Sequence, residues 1–204
     1  MNILITGCNS FLGKELAEYF LQQNCAVLAT DRRTLDPTNM QDIAHVFNNF
    51  SIDIVLHTAI KGGKRIHKPN IEDLYENLTM FHNLAKFSNY YKALFNFGSG
   101  AAFNREQDID NMTEDEIYSG FPSDYYGLSK NLITRKINEL DTNIFNLRLF
   151  GCFGPHEEQQ RLFRSLYNNT VDNKPLNIHQ DKYMDYFYAQ DVGKVIKYIT
   201  DNID

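Results

Sequence analysis

Asn2-Ile3-Leu4-Ile5-Thr6-Gly7-Cys8-Asn9-Ser10-Phe11-Leu12-Gly13-Lys14-Glu15-Leu16 opens the chain and decides how the rest is read. A short apolar, β-branched run passes through a glycine-bearing turn into an amphipathic stretch, which predicts strand, turn and helix in that order. In this context Gly7 permits a tight turn and Gly13 permits close helix–strand packing. Phe11 and Leu12 fall in the first helical turn, whose free N–H groups and positive dipole end suit a pyrophosphate. The middle position, where such turns usually have glycine, is Ser10, and a side chain there is expected to narrow the approach to the phosphates. An ordinary βα turn with no ligand is the competing interpretation.

The next strand, Ala26–Thr30, ends at Asp31, 18 residues after Gly13. An acid at that point can hydrogen-bond both ribose hydroxyls of an adenosine and repels a 2′-phosphate, which favours NAD. Arg32 follows directly and could embrace that phosphate, which keeps NADP open. Asp36 suits either an adenine contact or a turn beside Pro37.

Working outward, apolar runs alternate with amphipathic stretches. Helices are expected at 11–23, 39–49, 71–90 and 124–140, and strands at 53–58, 93–97 and 144–150. This alternation predicts an α/β fold, a Rossmann-like doubly wound parallel sheet. After Gly154-Pro155 the rhythm becomes irregular, with a helix expected at 158–169, extended pieces at 176–178 and 186–188, and a last helix at 190–201. We read one domain over 1–204, in which 151–189 contributes a short, incomplete C-terminal substrate region.

The 204 residues carry a net charge of -6, and 43% are hydrophobic. These values suit a soluble globular domain and argue against nucleic acid or an anionic membrane as partner. The basic pairs Arg32-Arg33 and Lys64-Arg65 fit solvated surface or ligand contacts. Cys8, Cys25 and Cys152 match no zinc or redox spacing, so no metal is expected and reduced thiols in the cytoplasm are. No apolar stretch is long enough to span a bilayer.

Tyr126-Gly127-Leu128-Ser129-Lys130 carries the chemistry. A Tyr and a Lys four residues apart share one helix face. An ammonium beside a phenol favours the phenolate, so the tyrosine can exchange a proton near neutral pH instead of near pH ~10. Taken alone, the pair also fits a half-buried tyrosine beside Tyr125, with Lys130 as a solvated charge.

Several segments in register along almost the whole chain resemble the extended short-chain dehydrogenases/reductases, the nucleotide-sugar epimerase/dehydratase group. They are Thr6–Gly13, Asp31, His57-Thr58-Ala59, Asn77, Phe97–Phe103, Tyr126–Lys130, Leu147–Pro155 and Asp185–Asp191. The resemblance implies an NAD(P)-dependent enzyme of nucleotide sugars, of the kind that serves surface polysaccharide synthesis. Tyr126 would be its acid/base, and Lys130 would tune that tyrosine and hold the nicotinamide ribose. Ser99 would hold the reacting oxygen, and Ala59 and Asn77 would line the cofactor site. Dehydratases of the group carry an Asp–Glu pair where Gly100 and Ala101 stand, and fucose-type epimerase/reductases carry a Cys at the Ala101 position. Neither glycine nor alanine moves protons, which leaves hydride chemistry, a 4-keto reductase ahead of a 4-epimerase.

Gly151 and Met184 replace an Asn and an Arg that grip the nucleotide diphosphate in relatives. Arg161 and Arg164 could substitute, beside Gly100 on the substrate side, because guanidinium suits phosphate oxygens; an exposed helical face is the bland alternative. Relatives commonly continue well past this length, which leaves a naturally short member, a fragment and a subunit borrowing a partner's wall all open. Many relatives dimerise through the two helices equivalent to 71–90 and 124–140, so a homodimer is expected. Two other classes stay in view: a dinucleotide-binding regulator without turnover, and a remnant that binds nothing.

Overall fold

A computed structural model describes residues 1–63, 68–104, 111–176, 181 and 183–203. In chain order the elements are β1 (Asn2–Thr6), α1 (Phe11–Gln22), β2 (Ala26–Thr30), α2 (Met40–Asn49), β3 (Ile54–His57), α3 (Ile71–Ala85), β4 (Ala93–Ser99), α4 (Tyr125–Glu139), β5 (Ile144–Leu149), β6 (Cys152–Phe153), α5 (Leu162–Val171), β7 (Phe187–Tyr188) and α6 (Ala189–Asp201). Five parallel strands form one sheet in the order β2-β1-β3-β4-β5, and β6 pairs with β7 in a separate two-stranded piece.

β1 shows why the sheet is covered on both faces. Ile3, Leu4 and Ile5 are all fully buried, and period-2 alternation sends them to opposite sides. Leu4 joins Ile43, Phe81, Leu84 and Ile133 under α2, α3 and α4. Ile3 and Ile5 join Leu16, Phe20, Val192 and Ile196 under α1 and α6. The chain leaves β1 toward β2 on one side and returns to β3 on the other. The strand order therefore reverses between β1 and β3, and a crevice opens at their carboxyl ends, where ligands of open α/β sheets bind.

Three departures from the sequence expectations have local causes. The helix expected to reach Tyr90 stops at Ala85, and a 3-10 turn follows at Ser88–Tyr90. Phe87 stacks on Phe47 at 5.4 Å, and Tyr90 and Tyr91 pack on the same ring, which draws the chain off its helical path. The helix expected from Glu158 begins only at Leu162, because the Glu157 carboxylate accepts the Arg164 N–H of its first turn. β6 is two residues long and carries no periodicity to read. Leu176 has no regular structure, and Ile178, with the pair Lys64-Arg65, lies outside the described residues. Among the described residues no helix is long and apolar enough to cross a membrane.

Candidate active site

The β1–α1 turn is built on close main-chain contacts. Gly7 has φ +73°, and a Cβ there would lie 2.6 Å from Ala59 Cα and 2.7 Å from its nitrogen. Ala59 is thus the wall against which the turn closes. A Cβ on Gly13 would lie 2.4 Å from the Gly7 carbonyl oxygen. Ser10 caps α1: its Oγ accepts the Gly13 N–H at 3.0 Å and sits 3.1 Å from Thr58 Oγ1, which donates to the Thr6 carbonyl. The expectation that this side chain narrows the phosphate approach is corrected here, because it folds back against its own helix. The N–H groups of Phe11 and Leu12 have no acceptor within the helix.

Asp31 closes β2 but does not stand alone. Its carboxylate accepts the Arg33 guanidinium at 2.7 Å, the Arg33 N–H at 2.9 Å and the Asn9 amide at 3.0 Å. The Arg33 side chain, then its backbone N–H, hold the Asp31 pKa down at about 2. Arg32, the 2′-phosphate ligand of the NADP alternative, turns the other way to Asp36 at 3.0 Å and Glu76 at 3.2 Å. Asp36 takes the turn role of its two alternatives, accepting the N–H and hydroxyl of Thr38 as well as Arg32. Sequence reasoning missed Arg33. In Arg32-Arg33 only the fold of the Asp31–Leu35 turn, in which the Asp31 carbonyl accepts two N–H groups, decides which guanidinium returns to the acid.

At the carboxyl end of β4, Ser99 caps a 3-10 turn, Gly100–Ala102, its Oγ accepting the Ala101 N–H at 3.1 Å. The first turn of α4 lies directly on this turn, since a Cβ on Gly127 would be 2.5 Å from the Ala101 carbonyl oxygen. Asn131 joins the two, and Arg135 ties α4 to the segment that follows the turn. Asn131 donates to the Ala102 carbonyl at 2.9 Å, and Arg135 donates to the carbonyls of Ile117 and Gly120. Neither residue carried a sequence signal, because their partners are main-chain atoms distant in the chain.

Tyr126 and Lys130 therefore stand beside the Ser99 turn. Lys130 is only 6% exposed, which removes the solvated alternative. Its Nζ donates to the Phe97 carbonyl at 2.6 Å and lies 5.8 Å from the centre of the Tyr126 ring. Burial pulls its pKa from 10.5 to about 8. Beneath it, buried His57 places Nδ1 2.8 Å from Thr6 Oγ1. Burial first, then the Lys130 charge, lower the His57 pKa to about 3, so the imidazole is neutral.

Asn77 is placed differently from the expected cofactor contact. It is buried at 1% exposure, accepts the Lys61 N–H at 2.8 Å, and donates to the Lys61 carbonyl and to Ser129 Oγ. Its amide is shared between Ser129 and Lys61, the start of a turn through Gly62 and Gly63. These glycines have φ +78° and +75°, and a Cβ on Gly63 would lie 2.9 Å from the Tyr126 ring.

A cavity of about 180 Å³ opens here, walled by Gly63, Phe150, Gly151, Arg161, Met184 and Tyr186. Gly100 stands behind Phe150, not in the cavity: a Cβ on it would meet that ring at 2.6 Å. The expected substrate contact at Gly100 is thus replaced by a packing role. Arg164 does not line the cavity: its guanidinium donates to the Pro155 carbonyl at 3.4 Å, and only its backbone N–H reaches Glu157. Arg161 lines it, with its guanidinium 5.5 Å from the centre of the Phe11 ring. Among the described residues no His, Cys, Asp and Glu side chains gather in a group that could hold a metal.

A model of the NAD dependent epimerase/dehydratase family matches residues 3–204. No curated protein sequence matches the chain. Solved structures resemble it closely in fold. A GDP-D-glycero-L-gluco-heptose synthase from Campylobacter jejuni, crystallised with NADPH, has TM-score 0.82 at 20% identity over 100% of this chain and 75% of that one. A dTDP-4-dehydrorhamnose reductase from Clostridium acetobutylicum has TM-score 0.78 at 22% identity, covering 98% and 70%. A dTDP-glucose 4,6-dehydratase from Bacillus anthracis, in complex with NAD, has TM-score 0.76 at 16% identity, covering 100% and 73%. Such low identities speak for the fold alone, and a synthase, a reductase and a dehydratase share it.

Proposed function

The chain belongs to the NAD dependent epimerase/dehydratase family, and on that premise we propose that it is an NAD(P)-dependent oxidoreductase of nucleotide sugars, favouring reduction of a 4-keto group. One observation carries this reading. The cavity wall includes Gly63, which packs on the Tyr126 ring, and Phe150, which packs on Gly100 next to Ser99, so the cavity adjoins both with one wall residue between.

The residues fit the dinucleotide. Gly7 and Gly13 let the turn close against Ala59 and the Gly7 carbonyl, where any Cβ would collide, and the Phe11 and Leu12 N–H groups can donate to a pyrophosphate. Asp31, with Arg33 on it, suits the adenosine ribose, and Lys130 the nicotinamide ribose. When bound, NAD(P) supplies or accepts the hydride at the sugar carbon. The chain's own part is proton work and orientation. Ser99 Oγ is committed as an acceptor to Ala101 N–H, so its own O–H is left to donate to the sugar oxygen. Tyr126 hydroxyl gives that oxygen its proton in reduction or takes it in oxidation. The Lys130 ammonium favours negative charge on Tyr126 between these steps. Gly100 and Ala101 hold no acid or base, which disfavours elimination of water and ring-carbon deprotonation.

We read 151–189 as a partial substrate-binding lobe, the setting as cytoplasmic, and the assembly as a homodimer through α3 and α4. Tyr75 and Tyr125 are exposed on those helices, and sedimentation equilibrium tests the dimer. The activity is tested with a panel of nucleotide 4-keto sugars and NADH or NADPH. Tyr126→Phe is expected to lower the rate at least ~100-fold, the usual scale for a positioned acid/base. Interconversion of sugar epimers without net cofactor consumption would identify a 4-epimerase instead. Equal rates in the variant would remove Tyr126 from the chemistry.

A further inference from the structure

We propose that Arg161 closes on the pyrophosphate of the bound dinucleotide from the second lobe, and does not grip the substrate's diphosphate. This rests on the dinucleotide reading above and goes beyond it, since it makes the cofactor the organiser of the substrate cavity.

Three observations lead there. The first is where the guanidinium lies: over the ring of Phe11, the first residue of α1, whose opening turn offers the phosphate-binding N–H groups. The second is why it lies there. The turn preceding α5 is nailed to α1 by Glu15, a fully buried carboxylate that accepts the His156 N–H at 2.9 Å. The His156 ring sits between Glu15 and Glu18, 3.1 Å from each, and Gly154 leaves space for Glu15 where a Cβ would be 2.8 Å from its Oε1. These contacts fix the register between α1 and the segment that carries Arg161.

The third observation is electrostatic. Among the described residues no carboxylate pairs with Arg161, whose one side-chain hydrogen bond is a long 3.5 Å contact to the Cys152 carbonyl. An exposed cation thereby stands near the positive end of a 12-residue helix whose first turn holds no acidic residue. Two phosphates between them satisfy both, with guanidinium on one side and main-chain N–H on the other. Arg161 is also the N-cap residue of α5 and part of the cavity wall. Occupation of the cofactor site therefore sets that wall, and the dinucleotide binds before the sugar.

Calorimetry on the full chain separates this from the alternatives, using 5′-ADP, 5′-AMP and NADH with wild type, Arg161→Ala and Arg161→Lys. Wild type should bind ADP more tightly than AMP. Arg161→Ala should weaken ADP and NADH about 10-fold or more while changing AMP less, the scale of one charged hydrogen bond. The lysine variant should recover part of the loss. Thermal melting reports folding of each variant, and Phe11→Leu, which removes only the stacking platform, should weaken ADP in the same direction. Unchanged ADP and NADH affinity in Arg161→Ala, with weakened binding of UDP or GDP, would overturn the proposal in favour of a substrate grip. Wild type that binds neither ADP nor NADH would instead sink the dinucleotide reading itself.

Discussion

Replacing Lys130 by methionine is expected to abolish turnover without destabilising the protein, and pH provides the decisive contrast. In the folded chain this ammonium is buried, and its pKa is about 8 against an ordinary 10.5. Between those values the unfolded chain holds a proton that the folded chain has released. Wild-type stability should therefore rise from pH 8 to pH 10.5, as a buried charge is discharged. At ~1.4 kcal/mol per unit, the whole window is worth about 3 kcal/mol, an upper bound. Methionine removes the buried charge but leaves the Phe97 carbonyl without its donor, a loss of ~1–3 kcal/mol. The two effects nearly cancel at pH 7, so the variant should lie within roughly 2 kcal/mol of wild type there, on the stable side. Urea denaturation followed by circular dichroism across this pH range measures both curves. Groups beyond reach of the Lys130 charge titrate alike in the two proteins, so the difference isolates Lys130 together with Tyr126 and His57, which that charge tunes. A wild-type curve that stays parallel to the variant's, or falls further below it, as pH rises would mean the ammonium is not penalised by burial, and the tyrosine-tuning role would fall with it.

Three further outcomes follow from the same geometry. Gly7→Ala must place a Cβ against Ala59 main chain at φ +73°, so a stability loss of ~2–4 kcal/mol and loss of dinucleotide binding are expected in melts and titrations; unchanged binding would contradict the turn's role. Asn77→Ala frees Lys61 and with it the Gly62–Gly63 turn over Tyr126. Turnover should drop ~10-fold or more with dinucleotide affinity nearly intact, and a selective loss of affinity would restore Asn77 as a cofactor contact. Arg33→Ala should let the Asp31 pKa climb from about 2 toward the ordinary 3.8, followed by NMR titration of its carboxyl carbon. A titration that stays at about 2 would mean Arg33 is not what holds it.

What could be read in advance follows from how local each cause is. β1 and β2 are found at their expected bounds and α1 one residue short, because apolar alternation, Gly7 and the Ser10 cap all act within a few residues. Tyr126 and Lys130 share a helix face by spacing alone, whereas the nearness of Ser99 needed the resemblance and then the Gly127–Ala101 contact. The rest depended on tertiary partners. Asn77 looks like a cofactor ligand until the fold shows Lys61 and Ser129 consuming its amide. Arg161 and Arg164 are equivalent in sequence, and only their guanidinium neighbours, Phe11 for one and the Pro155 carbonyl for the other, separate them. The burial of Glu15 has no signal in the sequence, since nothing in α1 announces that Gly154 and His156 will cover it.

A crystal structure of the NADH or NADPH complex tests the core of this account most directly. The expected density places the nicotinamide ring at the cavity mouth between Gly63 and Phe150, with Ser99 Oγ and Tyr126 hydroxyl converging on one point above it and Lys130 on its ribose. A ring lodged elsewhere, or hydroxyls of Ser99 and Tyr126 too far apart to reach a single oxygen atom, would contradict it.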